Sequence, residues 1–114
     1  MAVTPSRPLA DLADLALELR RFADERRWQV FHSPKNLASA LIVEAAELLE
    51  HFQWLTQEES RHLPPTARTA VALEIADVLI YLTRLADQLG IDMLAAATDK
   101  MALNAHKYPA GAAQ

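Results

Sequence analysis

Apolar residues recur at helical spacing in four segments of the chain, and this periodicity constrains the fold more than any other feature of the sequence. The segments cover residues 9–28, 37–54, 66–89 and 93–106. Ala and Leu supply about 40 residues and Gly only 2, which favours helix because Ala and Leu lose little conformational freedom there. No segment shows the alternation typical of a strand. We therefore predict an all-α fold, a four-helix antiparallel bundle with short connections.

Capping residues mark where the predicted helices begin and end. Asn36 is the expected N-cap of the second helix, after Ser33–Pro34 interrupts the first pattern. Residues 56–59 form a predicted capping box that opens one short turn. Gly90 is the expected end of the third helix, and Asp92 the expected N-cap of the fourth.

A length of 114 residues suffices for one small domain. We assign that domain to residues 9–109, with a disordered N-terminus at residues 1–8 and a flexible tail at residues 110–114. No uninterrupted apolar stretch is long enough for a membrane span, and the N-terminus lacks the pattern of a secretory signal.

The charge and cysteine counts exclude several classes of function. With 11 basic and 15 acidic residues, the net charge of −4 argues against binding to a nucleic-acid polymer. The absence of cysteine excludes a disulfide scaffold, a thiolate nucleophile and a zinc ribbon, and it favours a cytoplasmic location.

Two pairs of acidic residues lie inside the most aliphatic helical segments. Glu44 and Glu47 are three residues apart in the second helix, and Glu74 and Asp77 are three apart in the third. Each pair therefore projects from one helix face, and no Lys or Arg lies four residues from any of the four acids.

Unpaired carboxylates cost several kcal/mol when buried, so two facing pairs require a counter-charge. All-oxygen ligands favour a hard divalent cation, Mg²⁺ or Mn²⁺. The structural alternative is a narrow solvated stripe of acids. A di-iron bundle is disfavoured because that architecture uses Glu-x-x-His, whereas Glu50 stands three residues after Glu47.

Four ordered sequence blocks resemble the MazG-like superfamily of all-α nucleoside triphosphate pyrophosphohydrolases, and most of all its dCTP pyrophosphatase branch. The resemblance extends over residues 22–109. The blocks are Phe31-His32-x-Pro34-x-Asn36-Leu37, Glu44-x-x-Glu47-Leu48-x-Glu50-x-Phe52-Gln53-Trp54, Glu74-x-x-Asp77-Val78-Leu79-Ile80-Tyr81-Leu82, and Lys100-Met101-x-x-Asn104 ahead of Lys107-Tyr108-Pro109. Val43 differs from the pattern, since many relatives carry a second glutamate there.

The resemblance implies a Mg²⁺-dependent enzyme that cleaves a nucleoside triphosphate between its α and β phosphates. It implies a homodimer or homotetramer whose subunits share active sites, and it assigns Glu44, Glu47, Glu74 and Asp77 as metal ligands and catalytic residues. One glutamate of the second helix is expected to position or deprotonate the attacking water, and the sequence does not distinguish which.

Further residues are candidates for binding the substrate. Tyr81 lies one turn after Asp77, within reach of the phosphates, and the aromatic residues at helix ends are suited to stack on a base. The ordinary alternatives are a core tyrosine, tryptophans that cover the bundle core and solvated lysines. We interpret His51, His62 and His106 as surface residues. The complete set of substrate-binding candidates is Trp28, His32, Lys35, Trp54, Tyr81, Lys100, Asn104 and Lys107.

Two other functions remain open at this point. One is a non-catalytic helical module that binds a metal or a partner helix. The other is an enzyme of the same fold that acts on dUTP or on phosphoribosyl-ATP.

Overall fold

A computed structural model describes residues 8–111, which form five helices and no strand. The helices are α1 (Leu12–Glu25), α2 (Pro34–Glu50), α3 (Gln57–Ser60), α4 (Pro65–Leu89) and α5 (Met93–Lys107), and a 3₁₀ turn at Trp28–Phe31 separates α1 from α2. The predicted all-α class is confirmed. The termini that the sequence predicts to be loosely ordered lie largely in residues 1–7 and 112–114, outside the described residues.

Helix α1 is shorter than its apolar pattern predicts. The Asp11 carboxylate accepts a hydrogen bond from the Asp14 N–H at 2.8 Å and caps the helix start. At the other end Arg27 adopts a left-handed conformation with φ of 55°, which breaks the helical hydrogen-bond pattern. The predicted continuation to Trp28 is therefore wrong, and Trp28 begins the 3₁₀ turn instead.

Helix α2 begins earlier and ends earlier than predicted. The Ser33 hydroxyl, not Asn36, caps it by accepting a hydrogen bond from the Asn36 N–H at 3.2 Å. Pro34 then occupies the first turn, where its missing N–H costs nothing. The Asn36 side chain instead donates to the Phe31 carbonyl at 3.1 Å and ties α2 to the 3₁₀ turn.

The remaining caps agree with the sequence. Thr56 and Glu59 exchange both hydrogen bonds of a capping box at the start of α3. Gly90 ends α4 with φ of 65°, a conformation that glycine adopts without steric cost. The Asp92 carboxylate accepts from the Ala95 N–H at 3.0 Å and caps α5.

Packing within the chain centres on α4. Helix α2 packs along α4, and α1 packs against it less extensively, whereas α5 makes no comparable contact with the other described helices. Residues 94–107 of α5 are all exposed. Within the described residues the predicted four-helix packing is therefore not complete inside one chain.

The core of the single chain is small. Only four apolar residues among those described are buried, namely Ala23, Leu37, Val71 and Ala86. The radius of gyration is 17.1 Å, against about 13 Å for a compact domain of this size. Among residues 8–111, no helix is both long enough and apolar enough to cross a membrane.

Candidate active site

The four predicted acids meet where α2 packs along α4. One carboxylate oxygen from each of Glu44, Glu74 and Asp77 lies within 4.8 Å of the other two. The Glu47 carboxylate lies outside this group of three oxygens but close enough to Glu44 to help raise the pKa of Glu44. All four side chains are half-buried. The i, i+3 spacing on each helix thus brings both pairs to one place, which we call the acid cluster.

The acid cluster carries strong electrostatic strain. Burial of the Glu44 carboxyl, the hydrogen bond to Glu47 and the negative charges of Glu47, Asp77 and Glu74 together raise the pKa of Glu44 from 4.5 to about 7. Within the described residues, no Lys or Arg forms an ion pair with the cluster.

Two oxygens of the acid cluster are buried without a hydrogen-bond partner. They are Oε2 of Glu44 and Oε2 of Glu74, from facing helices. A buried acceptor without a donor is costly, and each of these atoms has a lone pair free for a cation. The donor set is entirely carboxylate oxygen, which suits a hard divalent ion. The residues present therefore fit a divalent metal.

His51 is closer to the acid cluster than its sequence position suggested. Its Nε2 lies 3.8 Å from Glu74 Oε1, and its side chain is half-buried. The interpretation of His51 as an ordinary surface residue is therefore wrong, whereas His62 and His106 are exposed as expected. The available signal was its position four residues after Glu47, which places both on one face of α2.

A second site, a cavity of about 220 Å³, lies between α1, the 3₁₀ turn and α4. Three predicted substrate-binding residues, Trp28, His32 and Tyr81, line it together. The Trp28 ring stands edge-on to Phe22 at 5.4 Å and tilted to His32 at 5.7 Å between centroids. We call this the ring cavity; its full lining is Leu19, Phe22, Ala23, Trp28, His32, Ile80, Tyr81 and Arg84.

The other predicted substrate-binding residues are not gathered around these sites in the single chain. Lys35 is exposed in the first turn of α2, and Trp54 follows α2 with 86% of its surface exposed. Lys100, Asn104 and Lys107 are exposed on α5, where Lys107 Nζ lies 5.2 Å from the ring centre of Tyr108. Apart from Lys35, which is on α2 itself, these residues lie on segments that have little packing against α1, α2 and α4.

Arg84 is a residue of this region that the sequence pattern did not single out. It is only 2% exposed, and its guanidinium lies between His32 and Asp87. A buried arginine in an apolar helix is uncommon. Its sequence signal was the spacing of seven residues from Asp77, which places both on one face of α4.

Comparison with known proteins places these features in one family. Residues 40–114 match the MazG-like family. Human dCTP pyrophosphatase 1 is 42% identical over 109 residues, covering 94% of this chain and 62% of the human protein. The mouse dCTP pyrophosphatase 1 is 42% identical over 108 residues, with 93% and 62% coverage.

A solved structure supports the same grouping. The crystal structure of a pyrophosphatase from Archaeoglobus fulgidus is 40% identical, superposes with a TM-score of 0.82, and aligns over 93% of this chain and 99% of that one. This chain spans about three fifths of the length of the curated relatives it matches, at 62%. The match over residues 40–114, which includes both acid pairs, shows that the chain belongs to the MazG-like family.

Proposed function

We propose that this chain is a Mg²⁺-dependent nucleoside triphosphate pyrophosphohydrolase that converts a dNTP to the dNMP and pyrophosphate. The proposed substrate is dCTP or a modified dCTP, in keeping with the relatives named dCTP pyrophosphatase 1. The observation that carries the proposal is the acid cluster, with its two partnerless buried oxygens, in a MazG-like chain. Residues 9–109 are the proposed functional domain, and the cytoplasm is the proposed compartment.

The acid cluster would hold the metal. Glu44, Glu47, Glu74 and Asp77 are the proposed ligands, with Mn²⁺ as an alternative to Mg²⁺. When bound, the metal would neutralise the triphosphate and lower the pKa of water. Without such neutralisation the half-buried carboxylates would repel a polyanionic substrate.

The chain's own residues supply the rest of the chemistry. A glutamate of α2, Glu44 or Glu47, accepts the proton of the attacking water. The water oxygen bonds to phosphorus at the α–β bridge, the bridging P–O bond breaks, and monophosphate and pyrophosphate separate. Tyr81, one turn after Asp77 on α4, is proposed to direct its hydroxyl toward the phosphates.

Other substrate contacts are proposed to form between subunits. Lys35, Lys100 and Lys107 are proposed to bind phosphate, and Trp28, His32, Trp54 and Asn104 to bind the base or sugar. Because α5 is exposed along residues 94–107, its Lys100, Asn104 and Lys107 are free to approach the acid cluster of another subunit. The proposed assembly is a homodimer or homotetramer.

The exposed apolar surface supports this assembly. Large apolar side chains of α2, α4 and α5 face solvent in the single chain, among them Ile42 at 71%, Leu73 at 64% and Met101 at 71% exposure. Apolar exposure on this scale is typical of an interface that a second chain covers.

A substrate panel tests the proposal. Purified protein is incubated with dCTP, 5-methyl-dCTP, dTTP, dUTP, dATP, dGTP and phosphoribosyl-ATP, with Mg²⁺ or with EDTA, and pyrophosphate is measured. We expect Mg²⁺-dependent release that is fastest with a cytosine nucleotide. Preference for dUTP or phosphoribosyl-ATP would overturn the substrate assignment. No turnover on any substrate would favour a non-catalytic helical module.

Substitution of the acids tests the metal assignment. We expect Glu47→Ala and Asp77→Ala each to reduce turnover by more than about 100-fold, because removal of a ligand costs more than removal of an outer-shell partner. Helix content measured by circular dichroism should stay nearly unchanged. Glu50→Ala, on the exposed side of the same helix, is the matched control. Wild-type turnover in either acid variant would contradict the assignment.

A further inference from the structure

Arg84 places a buried positive charge in the wall of the ring cavity. Its side chain is 3% exposed, yet its partners hold it only at long range. Its Nε and Nη2 each lie 3.4 Å from His32 Nδ1, and its Nη1 lies 3.4 Å from Asp87 Oδ2. Charge-assisted hydrogen bonds are usually 2.7–2.9 Å long. The guanidinium therefore retains donor capacity that the protein does not use fully.

Asp87 is bound mainly to a different arginine. Arg20 on α1 donates from Nη2 to Asp87 Oδ1 at 2.6 Å and from Nε to Oδ2 at 3.0 Å. The hydrogen bond from Arg20 is the main reason that the pKa of Asp87 lies below its usual range. Asp87 therefore contacts Arg84 only weakly, because its shorter hydrogen bonds come from Arg20. Arg20 can be substituted without changing the Arg84 side chain itself.

Two other polar residues of the ring cavity, His32 and Trp28, also offer N–H donors. Arginine can only donate, so His32 Nδ1 must accept, which leaves the proton of a neutral His32 on Nε2. Burial and the nearby Arg84 lower the pKa of His32, and both effects favour the neutral ring. The indole nitrogen of Trp28 can only donate a hydrogen bond. The walls therefore offer flat rings together with donors, and they suit a flat ligand with an acceptor-rich edge.

Helix α4 connects the ring cavity to the acid cluster. Asp77, Tyr81 and Arg84 are four and seven residues apart, so they lie along one face of the helix. Seven residues correspond to about 10 Å along the helix axis. A ligand with a phosphate chain at one end and a ring at the other matches this arrangement.

We propose that Arg84 is a specificity-determining residue that selects a cytosine base in the ring cavity through two adjacent hydrogen-bond acceptors. This proposal rests on the proposed function and names the residue that sets its substrate class. Cytosine presents N3 and O2 side by side as acceptors, which a guanidinium contacts with two parallel N–H groups. Uracil and thymine carry a hydrogen on N3, which opposes one of those donors. A methyl group at C5 lies away from this edge and leaves the contact intact.

Three variants test the role of Arg84. Arg84→Met keeps the length of the side chain and removes its donors. Arg84→Lys keeps the charge and removes the planar pair of donors. Arg20→Met removes the hydrogen bonds that Arg20 donates to Asp87 outside the cavity. We expect kcat/KM for dCTP to fall about 10- to 100-fold in both Arg84 variants, the loss that one bidentate base contact represents. In the same two variants, kcat/KM for dTTP should change less than about 3-fold. Arg20→Met should leave the dCTP to dTTP ratio unchanged.

Binding of the product monophosphates separates this inference from the proposed function. Calorimetric titration with dCMP and dTMP in EDTA requires neither metal nor turnover. We expect the wild type to prefer dCMP and both Arg84 variants to lose that preference, with Arg84→Lys available if Arg84→Met does not fold. An unchanged dCMP preference in folded Arg84→Lys would overturn the role of Arg84, even if the enzyme hydrolyses dCTP. Preference for dCMP without any hydrolysis would overturn the proposed activity and retain the inference.

Discussion

The carboxyl of Glu44 links the folding of this chain to the proposed binding of a divalent metal at the acid cluster. Its pKa of about 7 in the folded protein exceeds the ordinary value of 4.5, mainly because the group is buried and next to Glu47. The unfolded chain therefore loses this proton first. Between about pH 4.5 and pH 7 the folded state holds the extra proton, so this group lowers the stability of the metal-free protein as the pH rises.

We expect Glu44→Gln to raise the melting temperature of the metal-free protein at pH 8, because the variant removes a charge that the fold disfavours. At pH 4.5 the difference should nearly vanish, since Glu44 is then protonated in the folded wild type. Mg²⁺ should raise the melting temperature of the wild type more at pH 8 than at pH 5.5, and raise that of the variant little. Scanning calorimetry with EDTA or Mg²⁺ at these pH values measures each effect.

The exposed Glu50 on the same helix provides the control, because Glu50→Gln removes one charge from α2 outside the acid cluster. It should leave the Mg²⁺ response unchanged. A lower melting temperature for metal-free Glu44→Gln at pH 8 would show that the Glu44 carboxylate is stabilised by contacts other than a metal.

Trp54 is an exposed residue that contributes little to the stability of the single chain, and its ring is accessible to a ligand. With 86% of its surface exposed, its ring has few contacts to lose on substitution. We expect Trp54→Ala to raise KM for dCTP about 5- to 100-fold with little change in kcat, because base stacking contributes about 1–3 kcal/mol to ground state and transition state alike.

Steady-state kinetics with the Trp54 variant checks this expectation, and the melting temperature should stay within about 2 °C of the wild type, as for most surface substitutions. Val30→Ala, at a position 78% exposed, is the control for loss of an exposed apolar side chain. An unchanged KM in Trp54→Ala would remove Trp54 from the substrate site.

At the level of elements, the sequence predicted helices well and their ends less well. The predicted end of α4 at Gly90 and the predicted N-cap of α5 at Asp92 were correct, because each of these residues acts through its own backbone or side chain. Ser33 was missed as the cap of α2 because Asn36 is an equally good capping residue, and the hydrogen bond from Asn36 to Phe31 decides between them. The end of α1 depends on Arg27 in a left-handed conformation, which its residue type does not predict.

The candidate site likewise has one part that the sequence predicted and one part that it did not. The acid pairs were predictable because two carboxylates three residues apart must share a helix face, and their aliphatic neighbours make an ordinary solvated stripe the weaker alternative. The contacts of His51 and Arg84 depend on which helices face each other. His51 contacts Glu74 across α2 and α4, and Arg84 contacts His32 across 52 residues of sequence. Helical spacing alone carries no such information.

The connection between α4 and α5 is short enough for one residue to control it. Gly90 has φ of 65°, and apart from its own neighbours along the chain no atom lies within 4 Å of the position where a Cβ would stand, so only backbone strain opposes a substitution. We expect Gly90→Ala to lower the free energy of unfolding by about 1 kcal/mol. Gly90→Asn should lower it less, because asparagine tolerates this conformation better.

Urea denaturation of both variants, followed by circular dichroism, measures the difference. A change in the denaturant slope would indicate that α5 has been redirected and that the exposed surface has changed. Equal stability of Gly90→Ala and wild type would show that the α4–α5 connection adjusts without strain.

The single chain is less compact than a complete domain of its length would be. Its radius of gyration of 17.1 Å exceeds that expected for its length, and its fully buried apolar residues are few. The acid cluster sits on the packed pair α2 and α4, whereas half of the candidate substrate-binding residues lie on exposed segments. Assembly would reconcile the two, because a second chain that covers the apolar surface would also bring its own α5 toward a site.

The exposed apolar face of α5 is expected to lie in the interface of the assembled protein. Leu94 and Met101 lie seven residues apart on one face of α5, at 61% and 71% exposure. We expect the wild type to have a mass of at least two 12.6 kDa chains by light scattering, and Met101→Glu to shift it toward one, because a charge buried in an apolar interface costs several kcal/mol. Asp99→Lys changes charge on the opposite side of α5 and is the control. If subunits share sites, Met101→Glu should lose dCTP turnover together with assembly. A monomeric variant that keeps full turnover would show that one chain holds a complete active site.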